Sequence, residues 1–265
     1  MTASEAAGRP LMIGAGNMGG AMLRRWLDTG LSPGQVTVVS PSGRAMPDGV
    51  RVVDAIPTAV FDTIVLALKP QGLASVRDAL RGHAPRLFVS ILAGVELATL
   101  APLVKGPAVR AMPNLPVAIG HGVVALHGGR DTEAGARAAA LMAPLGMVEW
   151  IGDERLYDLV TALAGSGPAF LYRFVDALAR AGAALGLPEA QAARLALGTV
   201  EGAALLAAGA EAMPAMLADR VASPGGSTRE GLNVLDRDEA LVRLLTETLA
   251  AATRRNAAMA AAARG

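Results

Sequence analysis

The first residues in this chain with types and spacing suited to chemistry are glycines. Leu11-Met12-Ile13-Gly14-Ala15-Gly16-Asn17-Met18-Gly19-Gly20 carries a short apolar stretch into Gly-x-Gly-x-x-Gly. A helical pattern of Ala21, Met22, Leu23, Trp26 and Leu27 follows at once. In such a run Gly14 lets the chain turn, and Gly16, having no Cβ, lets the backbone approach a pyrophosphate. Gly19 lets the helix pack closely on the strand. The first turn of the helix then offers N–H groups and a positive dipole end to phosphates. A glycine-rich turn with no ligand would share these letters; the strand before and the helix after supply the context that a dinucleotide requires. Gly14, Ala15, Gly16, Asn17, Met18 and Gly19 are therefore the expected cofactor cradle.

The next apolar run ends Val38-Val39-Ser40-Pro41-Ser42-Gly43-Arg44, where a carboxylate would ordinarily meet the adenosine ribose. None stands there. Ser40 and Ser42 offer hydroxyls and Arg44 a guanidinium, a set that attracts a 2′-phosphate. NADPH is thus expected over NADH, with NADH still admissible if Arg44 is only a solvated turn residue.

Two further strand ends carry candidate side chains. Ala67-Leu68-Lys69-Pro70 places Lys69 where it can touch a cofactor ribose or a substrate, with Ala67 and Pro70 beside it. Met112-Pro113-Asn114-Leu115-Pro116 brackets Asn114 with two prolines, and its amide is expected at the nicotinamide end. Lys-Pro and Pro-Asn also occur as plain turn punctuation. Farther on, Ser223-Pro224-Gly225-Gly226-Ser227-Thr228 lies between two helical patterns. Pro-Gly-Gly permits backbone angles at which successive N–H groups converge on an anion, and Ser227 and Thr228 lead into a helix start. The same letters also describe an interhelix loop with an N-cap hydroxyl.

The elements that position these residues fall into two classes. Before about Gly152, short apolar runs near 11–13, 36–39, 50–53, 61–68, 87–92, 108–112 and 123–126 alternate with helical patterns, which predicts a doubly wound parallel α/β sheet of Rossmann type. After it, strand signals cease and long Ala/Leu-rich helical patterns take over. Pro168 and Pro188 suit first helical turns, and a last helix is expected near 238–259. Two domains follow, 1–152 for the cofactor and 153–265 all-helical.

Composition narrows the function classes. The 265 residues are 52% hydrophobic, with a net charge of +1 and no basic block, so no nucleic-acid partner is expected. There is no Cys, which excludes disulfides and thiolate catalysis, and His83, His121 and His127 are not spaced as a metal site. No signal segment or membrane span is evident, and a cytoplasmic location is expected. Only two Trp, two Tyr and four Phe are present, so Ala-rich helices must pack closely and gain little per side chain. Such a chain is expected to need a large subunit interface.

Taken together, the segments resemble the pyrroline-5-carboxylate reductase family over nearly the whole chain. The specific matches are Leu163-Ala164-Gly165-Ser166-Gly167-Pro168-Ala169-Phe170 and Val221-Ala222-Ser223-Pro224-Gly225-Gly226-Ser227-Thr228-Arg229-Glu230-Gly231-Leu232, with Leu68-Lys69-Pro70-Gln71 and Arg110 to Pro116 beside the glycine run. Leu115 stands where the family usually has Thr, and Ser227 where it often has Thr. The resemblance implies NADPH-dependent reduction of a cyclic imine carboxylate to L-proline. It also implies a helical domain that forms a homodimer, often assembled further into a ring of five dimers, with the active site between the Rossmann domain and helices of the dimer. Ser223, Gly225, Gly226 and Ser227 would hold the carboxylate, and Thr228 would set its hydroxyl against the ring nitrogen as the catalytic residue. A β-hydroxyacid-type dehydrogenase shares the two-domain plan, but it uses a Lys on the helical domain, and Asp153 to Met259 contains none. A non-catalytic NADP-binding regulatory protein is the third reading; intact Asn114 and Ser223 to Thr228 argue against it.

Overall fold

The computed structural model describes residues 1–41, 43 and 45–264, with the side chains of 260 and 262–264 outside it. Two of the cofactor candidates, Ser42 and Arg44, lie outside the described residues.

Eight strands form one sheet: β1 (Pro10–Ile13), β2 (Thr37–Val39), β3 (Arg51–Val53), β4 (Thr63–Leu66), β5 (Leu87–Ser90), β6 (Ala108–Pro113), β7 (Gly122–His127) and β8 (Gly146–Trp150). Their spatial order is β3-β2-β1-β4-β5-β6-β7-β8. The chain leaves β1 towards β2 on one side and returns to β4 on the other, which makes the switch point where open α/β sheets bind ligands. Strands β1 to β6 run parallel. β7 reverses, pairing antiparallel with β6 from Arg110↔His127 to Pro113↔Val124, and β8 follows β7 in parallel. The expected doubly wound parallel sheet is present through β6; β7 reverses because the Asn114–His121 connection is too short for a crossover and closes a hairpin-like return.

The central strands are buried on both faces, as parallel strands flanked by helices must be. Leu11, Ile13, Ile64, Leu66 and Phe88 point into one core; Met12, Val38, Val65, Val89 and Val109 point into the other. The helices of this part are α1 (Ala3–Ala7), α2 (Asn17–Asp28), α3 (Leu73–Leu80), α4 (Leu97–Leu100), α5 (Glu133–Met142) and α6 (Tyr157–Val160). Trp26 on α2 donates its indole N–H to Leu141 O at 2.7 Å, a buried bond that fixes α2 against the end of α5.

Five further helices follow: α7 (Gly167–Ala184), α8 (Glu189–Ala208), α9 (Pro214–Val221), α10 (Ser227–Asp236) and α11 (Ala240–Arg264). Pro168 sits in the first turn of α7, and Pro188 is the N-cap of α8. The chain divides into two compact units, Met1–Ser166 with the C-terminal stretch from Ala251, and Gly167–Ala250. These units do not coincide with the change of class near Gly152. Residues 154–166 are helical yet stay with the sheet, because Arg110 Nη1 pairs with Glu154 at 2.6 Å, the Tyr157 hydroxyl donates to Ala125 O at 2.8 Å, and Asn114 Nδ2 donates to Ala164 O at 3.1 Å.

Candidate functional site

The glycine run adopts the geometry its letters predict. Gly14 has φ +89°, and a Cβ there would lie 2.8 Å from Ala67 O. Its N–H is bonded to Val39 O at 3.0 Å, so the β1–α2 turn is locked between its two neighbouring strands. A Cβ on Gly19 would come within 3.0 Å of Gly14 O and 3.1 Å of the Ala67 methyl. This is the close helix–strand approach expected of the third glycine. Gly16 differs from both: a Cβ on it would meet nothing within 4 Å. It is the N-cap of α2, and no side chain caps that helix start. The N–H groups of the first turn are therefore not claimed by the helix.

Above this turn lies a cleft of about 860 Å³, lined by Gly14 to Gly19, Ser40, Ala67 and Lys69 among others. The volume suits a dinucleotide-sized ligand. Open space over Gly16, an uncapped helix start and a switch-point cleft together fit the pyrophosphate of a nicotinamide dinucleotide. Ser40 is buried at the end of β2 and faces this cleft. Two expected residues do not line it. Pro70 instead opens the 3₁₀ turn Pro70–Gly72 that leads into α3. The Asn114 carboxamide is taken up by the protein: Oδ1 accepts the Val123 N–H at 2.8 Å and Nδ2 reaches Ala164 O. Ser75, Val76, Ile91 and Met112 line the cleft and were not anticipated. Ile91 and Met112 sit at or just beyond the carboxyl ends of β5 and β6, and that position was the available signal; Ser75 and Val76 reach the cleft from the first turn of α3.

The wall of the cleft is braced from behind. Arg110 is almost fully buried on β6, pairs with Glu154 and stacks on Tyr157, its guanidinium carbon 4.1 Å from the ring centroid. Burial acts to raise the Glu154 carboxyl, but hydrogen bonds from Arg110 and the Leu97 N–H, with the Arg110 charge, outweigh it and hold the group below the ordinary carboxylate value. Burial pushes the Tyr157 phenol up, so it stays a neutral donor to Ala125 O. His127 Nδ1 bonds Ile151 O at 2.7 Å, which engages it in structure. Among the described residues no group of three His, Cys, Asp or Glu is placed to hold a metal ion.

The second candidate region belongs to the helical unit. Ser223 to Gly226 form a tight turn in which the Gly226 N–H donates to Ser223 O at 3.0 Å and Gly225 has φ +70°. Gly226 is thus occupied in closing the turn rather than free to face an anion. It N-caps α10 without a side-chain cap, so the first-turn N–H groups that begin with Ser227 and Thr228 are the donors on offer. Ser223, Ser227 and Thr228 are all exposed in the single chain. Arg229 is tied to Asp219 at 2.7 Å, which holds α10 to α9.

Two family models match this chain: pyrroline-5-carboxylate reductase dimerisation over residues 154–259, and NADP oxidoreductase coenzyme F420-dependent over residues 11–94. A pyrroline-5-carboxylate reductase of Pseudomonas aeruginosa is 35% identical over 95% of this chain and 97% of its own. That of Synechocystis is 37% identical over 85% and 89%. The solved structure of a pyrroline-5-carboxylate reductase from Coxiella burnetii superposes with a TM-score of 0.82 at 28% identity, covering 94% of this chain and 97% of that one. With the glycine cradle at its switch point and this likeness along nearly its whole length, the chain belongs to the pyrroline-5-carboxylate reductase family.

Proposed function

We infer that the cleft over Gly16 holds NADPH and that the turn from Ser223 to Thr228 holds the substrate. The chain is an NAD(P)H-dependent oxidoreductase of the C=N bond, converting L-1-pyrroline-5-carboxylate to L-proline. The observation that carries the cofactor reading is Gly16: only there is the helix start open to a ligand on the side facing the cleft.

When bound, the reduced nicotinamide supplies a hydride to the imine carbon. Over Gly16, the first-turn N–H groups of α2 and the helix dipole would hold the pyrophosphate, with Gly14 and Gly19 shaping the turn beneath them. Ser40, together with Ser42 and Arg44, receives the adenosine end, and that set favours the 2′-phosphate of NADPH. Lys69 sits on the rim of the cleft, within the set of residues that meet the cofactor. On the helical unit the Ser223 hydroxyl and the N–H groups at the start of α10 bind the carboxylate. Thr228 sets its hydroxyl against the ring nitrogen, orients it, and passes to the imine nitrogen a proton taken from solvent, which forms the iminium that accepts the hydride. An iminium carbon is already electrophilic, so positioning supplies most of what the protein must add. No His or Cys is required.

The chain is an oligomer through its helical domain; a ring of five dimers is our reading of its full assembly, and a cytoplasmic setting goes with its reductant. The test is loss of reduced-nicotinamide absorbance with L-1-pyrroline-5-carboxylate, run with NADPH and with NADH. Faster oxidation of NADPH supports both the reaction and the 2′-phosphate reading. Faster oxidation of NADH overturns the latter alone, and no oxidation with either overturns the reaction.

A further inference from the structure

We propose that Asn114 is a positioning residue that latches the point where the chain leaves the first compact unit, and that it makes no contact with the cofactor. Asn114 is 6% exposed and its groups are nearly all engaged. Its own N–H donates to Val123 O at 3.2 Å, its carbonyl accepts the Val117 N–H at 3.1 Å, and Oδ1 accepts the Val123 N–H at 2.8 Å. Nδ2 donates at 3.1 Å to Ala164 O, fifty residues away.

Ala164 lies in an irregular turn. Thr161–Gly165 is π-helical, with the Ser166 N–H reaching back to Thr161 O at 3.0 Å. In a regular α-helix Ala164 O would accept from the residue four positions on, which is Pro168 and has no N–H. The sequence therefore removes the α-helical donor of this carbonyl, and a carboxamide from the β6–β7 connection donates to it. Asp at 114 would keep an acceptor for Val123 but bring no donor to Ala164. Ala would bring neither.

Along the chain, the latch lies between the end of the cofactor cleft and the exit from the first unit. Met112 and Pro113 line the cofactor cleft, and Asn114 follows them directly. Ala164 lies two residues before Ser166, the last residue of the first unit before the chain enters Gly167–Ala250. That second segment carries Ser223 to Thr228, so the argument rests on the reading that this turn binds substrate. With the latch removed, the glycine cradle is untouched and NADPH affinity holds. The entry to the substrate-bearing unit loosens, and capture and turnover of the imine suffer.

The test compares N114A, N114D, P168A and the N114A/P168A pair. N114A and N114D are expected to lose about tenfold in kcat/KM for the imine, on the scale of one lost buried hydrogen bond, with the Kd for NADPH by fluorescence titration within about twofold. Hydrogen exchange at residues 161–166 should quicken in both. Adding Pro168→Ala gives Ala164 O a backbone donor, so the pair should recover most of the protection and of kcat/KM, while P168A alone stays near wild type. A Kd for NADPH raised about tenfold with exchange at 161–166 unchanged would make Asn114 a cofactor ligand and overturn the proposal. So would wild-type exchange in N114A. Should N114A not fold, the pair decides: a folded pair supports the latch, and an equally unfolded pair overturns it. If the wild-type enzyme does not reduce the imine, the functional reading fails while the exchange measurement still judges the latch.

Discussion

Three glycines in one motif serve three different physical needs, and single methyl groups separate them. Gly14 combines a left-handed φ with a backbone oxygen 2.8 Å from any Cβ, so Gly14→Ala strains the turn itself. We expect it to cost about 1–3 kcal/mol and to lower Tm visibly in thermal denaturation. Gly16→Ala meets no protein atom within 4 Å, so it should fold with less than about 1 kcal/mol of loss. Its methyl enters the space left for pyrophosphate, and the Kd for NADPH should rise at least about tenfold in the same titration. A Gly16→Ala variant that binds NADPH normally would remove the phosphate from this helix start. Thr228→Ala tests the other half of the site. Turnover should fall about 10²-fold, the lower end of what a positioned proton-transfer group contributes, with NADPH affinity unchanged. Full turnover would dismiss Thr228 as the group at the ring nitrogen.

At the scale of elements, the helical segment after β8 is held to the sheet by polar contacts around a small apolar cluster of Tyr157, Met112 and Ala125. Glu154 is central: it accepts from Arg110 and from the Leu97 N–H, and its carboxyl is held below the ordinary value of 4.5. A carboxyl lowered in the folded state adds stability that is complete above its unfolded value and is lost as pH falls through the folded one. Glu154→Gln should therefore be less stable than wild type near neutrality by about 1–3 kcal/mol, because Arg110 is left buried without its countercharge. The gap should narrow in denaturant titrations repeated below about pH 4. An unchanged gap in acid would mean that the carboxylate charge is not what matters.

The same segment shows what was legible in the sequence. β1, β2, β4 and β5 announce themselves as short apolar runs because both their faces are buried, and α2 ends at Asp28 where Thr29-Gly30 stops the pattern. β8 was not anticipated: Gly146–Trp150 alternates between half-buried and exposed positions at a sheet edge and lacks a continuous apolar run. α5 was missed because Ala and a Gly at 135 supply most of its inner face, which leaves a faint periodicity. The reversal of β7 is a property of connection length and not of strand letters. In the site, the glycine cradle was legible because only glycine can do its work. Ile91 and Met112 were not, because position at a strand end recruits them and residue type does not; Ser75 reaches the cleft from α3. Asn114 was legible as a special residue, but its role depends on a carbonyl fifty residues downstream.

At the scale of the whole molecule, the two units differ in how complete they are alone. The first has a closed core on both faces of its sheet. In the second, α7, α9 and α10 contain no buried residue, although their patterns are amphipathic. Leu171, Phe174 and Leu178 form an i, i+3, i+7 stripe along α7 and are each more than 40% exposed in the single chain. Leu244 and Leu245 on α11 are exposed too. Side chains of this kind contribute about 1.5–3 kcal/mol apiece when buried, more than a unit so short of aromatics can forgo. The family match to a dimerisation module over 154–259 makes a second copy of the same helices the expected cover for them. Replacing Phe174 and Leu178 together by Asp puts charge into that interface without touching the glycine cradle. In sedimentation velocity the doubly substituted chain should run as a monomer where the wild type runs as a dimer or larger. It should bind NADPH within about twofold of wild type, since its cleft belongs wholly to the first unit. Imine turnover should be largely lost, because the turn from Ser223 to Thr228 sits on the unit that has lost its partner. A variant that keeps the wild-type sedimentation coefficient would mean that this face of α7 lies outside the interface. A monomer with full turnover would mean that one chain alone completes the site.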